Sequence, residues 1–252
     1  MKERETDERL YERTLRDLRR GKFPGDYSVK LGMCASRPGE KILDIGCGTG
    51  WFAAAVASQY GAEVLGIDAS DYAINEARRR YGDIDNLGFQ VCDALLIEYE
   101  DTFDKVSCLD VLEHFSYEDA QSLLSKIRTA LRGGGTLVLC VPINDFWHLP
   151  PVRKLARFLG IPTFEHKTFF SVQKVQAELR RGGFSIVELS PWFYLEDQLR
   201  VMLPHRIYSL PLIGKYLVGS VNIRAVKDGC APSPFLSCSG ETCNSPDTLV
   251  QR

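Results

Sequence analysis

The chain has 252 residues, enough for one large α/β domain with additions and short of two. A formal net charge of −2 excludes a global electrostatic pull toward nucleic acid or an anionic membrane, although a local basic patch stays open. The eight cysteines contain no C-x-x-C pair, and Cys230, Cys238 and Cys243 lack zinc spacing and nearby histidines. Neither a disulfide scaffold nor a metal site is therefore expected. Cys47, Cys92, Cys108 and Cys140 fall in or beside apolar runs, where cysteine serves as a small apolar residue. Met1 to Leu10 is too charged for a secretory signal, and no apolar run approaches the roughly 18 residues of a spanning helix. The expectation is a soluble cytoplasmic protein. Residues 2–20 read as a charged helix with a thin stripe of Leu10, Tyr11, Leu15 and Leu18. Gly21 to Gly25, with Pro24, breaks it, and Tyr27 to Ser36 is predicted to be a second short helix.

Lys41 to Ile45 is a short apolar run interrupted by Asp44, and Gly46, Gly48 and Gly50 follow at alternate positions. Such a run predicts a buried parallel strand, and the glycines predict a turn that accepts positive φ and lets a ligand lie on bare backbone. Trp51 to Tyr60 then places Phe52, Ala53, Val56, Ala57 and Tyr60 at helical spacing. The spacing G-x-G-x-G departs from the dinucleotide pattern G-x-G-x-x-G. A second strand, Glu63 to Asp68, ends 18 positions beyond Gly50. An acidic residue at about that distance can accept hydrogen bonds from ribose hydroxyls. A third strand, Leu87 to Val91, leads into Cys92-Asp93-Ala94. The run D-I-G-C-G-T-G resembles motif I of the class I S-adenosylmethionine-dependent methyltransferases, and the resemblance extends over roughly residues 27 to 228. It implies a Rossmann-like, doubly wound sheet and S-adenosyl-L-methionine as cofactor. It assigns cofactor contacts to Asp44, Gly46, Cys47, Gly48, Gly50, Asp68, Ala69, Asp93, Ala94 and Asp110. In related methyltransferases the region around Tyr27 covers the cofactor.

Ser70 or Asp71 is the expected N-cap of a helix carrying Ala73, Ile74, Ala77 and Tyr81 on one face. Arg78, Arg79 and Arg80 near its end suit the helix dipole and read as solvated surface. A fourth strand, Lys105 to Leu109, closes on Asp110-Val111-Leu112-Glu113-His114-Phe115. The Asn/Asp-Pro-Pro-aromatic motif of amino-directed methyltransferases is absent here. The segment instead resembles the L-x-V-L-E-H run of small-molecule O- and C-methyltransferases, including those of ubiquinone biosynthesis. That resemblance puts Asp110 beside the methionine end of the cofactor and His114 near the substrate mouth, as a catalytic group or as one that holds the loop. An amphipathic helix from Ala120 to Leu131 is expected to end at Gly133–Gly135, ahead of a fifth strand from Thr136 to Val141. Pro142 to Phe170 is irregular and aromatic, where a doubly wound sheet carries its ligand site. Within it, Val152 to Leu159 is basic on one side and apolar on the other, so it could cap a substrate, touch a membrane surface or pack. His166 to Ser171 resembles the H-x-x-x-F-[ST] element of these enzymes, which places His166 within reach of substrate and makes Ser171 an N-cap. A helix from Val172, a strand from Phe184 to Leu189, a mixed apolar segment from Glu196 to Gly214 and a last strand from Ser220 to Val226 complete the core.

These readings combine into an α/β fold with a seven-stranded, mostly parallel sheet, an antiparallel last strand and helices on both faces. Residues 1–26 form an N-terminal helical extension, 27–228 the methyltransferase domain with 142–170 as a substrate-side insertion, and 229–252 a disordered tail. The implied activity is metal-independent methyl transfer to oxygen or carbon of a small, hydrophobic acceptor, with His114 and His166 as candidate bases. No nucleic-acid partner is expected. The alternatives are a macromolecule methyltransferase and a cofactor-binding partner protein without turnover.

Overall fold

The computed structural model describes residues 11, 12, 16, 27–143, 167, 168, 170–193 and 218–229. Strands β1 (Lys41–Ile45), β2 (Glu63–Asp68), β3 (Leu87–Val91), β4 (Phe103–Leu109), β5 (Leu131–Pro142), β6 (Phe184–Phe193) and β7 (Val218–Lys227) form one sheet. Their order is β3-β2-β1-β4-β5-β7-β6. The first five strands pair in parallel, whereas β7 runs antiparallel between β5 and β6. The chain moves outward from β1 to β3 and then restarts on the other side of β1 with β4. That reversal opens a crevice at the carboxyl ends of β1 and β4, where doubly wound sheets hold ligands.

Helices cover both faces. One face packs Leu43, Ile45, Val106 and Leu137 against α4 (Tyr117–Ala130) and α5 (Val172–Arg181). The other packs Ile42, Val64 and Val138 against α1 (Tyr27–Met33), α2 (Trp51–Tyr60) and α3 (Asp71–Tyr81). Alternate residues of each central strand are thus buried on opposite faces, which is why these strands read as continuous apolar runs. Ser70, Ser116 and Ser171 cap α3, α4 and α5, each accepting a backbone N–H from three residues on. Buried Ala120, Leu123, Leu124 and Ile127 supply the inward stripe of α4.

Two expectations are corrected. Gly133–Gly135 does not end α4, which stops at Ala130 and passes directly into β5. Leu131 is fully buried opposite Phe103, and the pairing then jumps to Thr136 opposite Lys105. The glycines lie in that irregularity, with Gly134 at φ 73°. Cys47, Cys108 and Cys140 are buried free thiols as expected, and Cys34 is one too, but Cys92 is disulfide-bonded, its partner lying outside the described residues. Also outside them are most of the N-terminal extension, residues 144–166 of the insertion, the segment from Glu196 to Gly214 and the tail from residue 230.

Gly50 joins the turn to α2 at φ 79°. A Cβ there would meet the Phe89 ring at 2.5 Å and the Ala77 Cβ at 2.8 Å. Gly50→Ala should therefore cost about 2–4 kcal/mol from overpacking and left-handed strain. Denaturant unfolding of the variant would show it, and an unchanged midpoint would contradict the packing described.

Candidate functional site

The three motif glycines have three different surroundings. Gly46 sits at φ 68°, and a Cβ on it would lie 2.3 Å from Val111 Cγ2, so the turn after β1 packs directly on the turn after β4. Gly50 is closed in by Phe89 and Ala77. Among the described residues, Gly48, at φ 53°, meets only the Tyr11 ring, 3.3 Å from where its Cβ would be. Gly48 is therefore the position whose bare backbone faces the crevice.

Asp68, at the end of β2, is aimed at this turn. The Gly48 N–H donates to its Oδ2 and the Ser70 N–H to its Oδ1, both at 2.9 Å. Tyr11 donates its hydroxyl at 3.3 Å to Oδ1 and 3.5 Å to Oδ2. Two backbone donors thus orient the carboxylate with one oxygen toward each side of the crevice mouth. Ala69 beside it is exposed. Cys47 points into the core, and its N–H donates to Ile67 C=O at 2.9 Å. Asp93 is exposed after β3 and accepts the Leu95 N–H at 2.9 Å, capping the single turn that begins at buried Ala94.

Asp44 lies beneath the turn rather than in the crevice. It is 3% exposed and accepts the Ser107 hydroxyl at 2.6 Å. Burial pushes its carboxyl up to about 7, against the Ser107 hydrogen bond, and the nearby Asp68 charge adds to the rise. A carboxyl raised by folding stabilises the fold fully only below the unfolded value near 3.8, and this contribution is lost as pH climbs through about 7. The stability advantage of Asp44→Asn over the parent should therefore grow by about 2–3 kcal/mol between pH 5 and pH 8.5. Denaturant melts at the two pH values test this, and a constant difference would contradict it.

At the end of β4, Asp110 takes φ 56°, its N–H donating to Cys140 C=O at 3.0 Å. Its carboxylate receives Lys30 Nζ at 2.8 Å and the Cys140 thiol at 3.1 Å. Lys30 comes from α1 with a side chain only 6% exposed, whereas that of Asp110 is 51% exposed. Desolvation alone would raise the Asp110 carboxyl, but the Lys30 ammonium holds it below its ordinary value, with lesser help from Cys140 and His114. With half its surface open to solvent, charge decides the direction.

His114 is the exposed residue of a single turn spanning Leu112 to His114, whose other two residues are buried. The Glu113 C=O on that turn accepts Lys167 N–H at 2.9 Å and Thr168 N–H at 3.1 Å. The Thr168 hydroxyl donates to Phe115 C=O at 2.7 Å, and Phe170 bridges Ile143 just past β5. The chain thus leaves β5 and returns to the core on the same edge. His166 lies outside the described residues, but its neighbour Lys167 is tied to the His114 turn. The structure gathers Gly46, Gly48, Asp68, Asp93, Asp110 and His114 along the carboxyl edge of β1 to β4. Sequence reasoning missed Tyr11 and Lys30, which reach that edge from 57 and 80 positions away. Tyr27, the residue singled out in that region, packs against Trp51 with ring centroids 5.2 Å apart.

Residues 42–135 match the family model described as a methyltransferase domain. Over those residues the chain resembles methyltransferase domains. It is 32% identical over 160 residues to the O-methyltransferase resE of Aspergillus sclerotiorum, covering 62% of this chain and 59% of that protein. It is 28% identical over 188 residues to a ubiquinone biosynthesis O-methyltransferase of Xanthomonas campestris pv. campestris, covering 71% of this chain and 77% of that one. The chain spans just over half the length of the fungal relatives it matches. Among solved structures, the domain resembles Haemonchus contortus phosphoethanolamine N-methyltransferase 2 in complex with S-adenosyl-L-methionine. That likeness has a TM-score of 0.63 at 22% identity, covering 82% of this chain and 54% of that one, and shows the fold. Among the described residues, no helix is long and apolar enough to cross a membrane.

Proposed function

We propose that the chain is an S-adenosylmethionine-dependent methyltransferase acting in the cytoplasm on an oxygen or carbon of a small, hydrophobic molecule. The observation that carries this reading is the Asp68 carboxylate, held by the Gly48 and Ser70 N–H groups beside the bare Gly48 backbone. An ionised carboxylate accepts several hydrogen bonds at once, the chemistry a vicinal diol needs. The residues therefore fit a nucleoside, with Asp68 on the ribose, Asp93 and Ala94 at the base, and Asp110 at the ammonium of the amino-acid end. When bound, the cofactor supplies a methyl already made electrophilic by its sulfonium. The protein then has to align an acceptor with that methyl and exclude water. His114, exposed at the mouth of the edge, takes the acceptor's proton, with His166 as the second candidate from the segment returning beside it. The names of the fungal and Xanthomonas relatives support oxygen as the acceptor atom. We assign residues 27–228 to the domain and 142–170 to its acceptor side.

Incubating the protein with a small-molecule extract and cofactor isotopically labelled in the methyl tests this. Label should appear in the low-mass fraction. Label confined to protein or nucleic acid, or no transfer by a chain that binds the cofactor, would contradict the proposal.

A further inference from the structure

We infer that the chain holds a second small-molecule site, separate from the carboxyl edge of β1 to β4, which takes a carboxylate with a short apolar body. The site is a cavity of about 460 Å³ between α1 and the sheet, within the size range of ligand pockets. Strand register accounts for its lining. Lys105 of β4 lies opposite Thr136 of β5, and Arg224 of β7 lies opposite both Val138 of β5 and Glu188 of β6. Residues opposite one another share a face of the sheet. Toward β1 that face is apolar, with Ile42, Val64 and Val138 buried beneath helices. Toward β7 and β6 it turns polar, and Lys105, Thr136, Glu188, Ser190 and Arg224 line the cavity. The alternate residues Leu137, Leu139, Ile223 and Ala225 stay fully buried on the other face. A sheet face beside a helix thus carries charges and hydroxyls where core packing alone would favour apolar groups.

The polar groups suit a singly charged anion. Arg224 donates from Nε to Glu188 Oε2 at 3.0 Å, and among the described residues its two terminal nitrogens have no hydrogen-bond partner. The same holds for the side-chain hydroxyls of Ser28, Thr136 and Ser190 around the cavity. A guanidinium offers its N–H groups as a planar fork that matches a carboxylate. Glu188 offsets part of the Arg224 charge, and Glu40 pairs with the Lys105 ammonium. A carboxylate therefore fits better than a dianionic phosphate. Val29 and Met33 line the cavity from α1 and give an apolar body a surface to cover.

The test is calorimetric titration of the full chain with benzoate, benzamide and benzylamine, which share one ring and differ in charge. Benzoate should bind saturably, and the other two at least about 10-fold more weakly, the worth of charge-assisted hydrogen bonds. Arg224→Gln should weaken benzoate by a similar factor. Arg224→Lys, which keeps the charge and loses the fork, should fall between Arg224→Gln and the parent. Melting curves verify that both variants fold. Saturating S-adenosylhomocysteine should leave the benzoate affinity unchanged. No saturable binding of benzoate, or equal binding of benzoate and benzamide, would overturn the inference. Tighter binding of benzylamine would assign the cavity to a cation through Glu188 and overturn it too. So would a benzoate affinity that Arg224→Gln leaves unchanged, or displacement of benzoate by S-adenosylhomocysteine, because either puts benzoate elsewhere.

Discussion

Asp68→Ala should weaken S-adenosylhomocysteine binding by about 10- to 150-fold, the worth of charge-assisted hydrogen bonds to a ribose diol. The substitution also strips the Gly48 and Ser70 N–H groups of their acceptor. The glycine turn then loses the group that fixes its open side, and this pushes the loss toward the upper end of that range. Asp68→Asn separates the two effects. Its amide keeps one acceptor for the turn but presents a donor to the other side, so it should bind more weakly than the parent and better than alanine. Unchanged affinity in a folded Asp68→Ala protein would remove Asp68 from the cofactor site.

On the proposal that an imidazole takes the acceptor's proton, its replacement should cut methyl transfer by about 10²-fold or more with cofactor affinity and folding intact. His114→Ala is the first variant to measure, because His114 is exposed on a turn that the Lys167 and Thr168 backbone holds in place. A loss of transfer there with unchanged calorimetry marks proton removal or acceptor positioning. His166→Ala belongs in the same assay, since either imidazole could take the proton. If neither variant slows transfer to the native acceptor, the rate comes from alignment alone.

Local punctuation explains what was legible beforehand. Glu63–Asp68, Trp51–Tyr60 and Leu87–Val91 fall at the residues expected, with Gly50 and Gly61 flanking the helix and Asp68 ending its strand. The antiparallel seventh strand was expected from family resemblance, and β7 lies between β5 and β6 as such a strand. What failed was long-range. Gly133–Gly135 reads as a helix stop, yet α4 is ended earlier by the burial of Leu131 against Phe103, 28 positions away in sequence. The motif glycines look equivalent in the chain and are not, since Val111 crowds Gly46, Phe89 crowds Gly50, and Gly48 meets the Tyr11 ring at a longer distance. Asp44 matches the motif pattern, yet its side chain turns under the sheet edge to Ser107 and supports the turn from below. Lys30 on Asp110 and Tyr11 on Asp68 had no signal in spacing or periodicity, because each contact joins segments that only the folded sheet brings together.

The most direct test of the whole account is titration of the unmodified chain with S-adenosylhomocysteine in a calorimeter. The account predicts saturable binding of one ligand per chain, displaced by S-adenosylmethionine. A chain that melts cooperatively and gives no saturable heat would contradict it, because the glycine turn, Asp68 and Asp110 would then form an edge that holds no nucleoside.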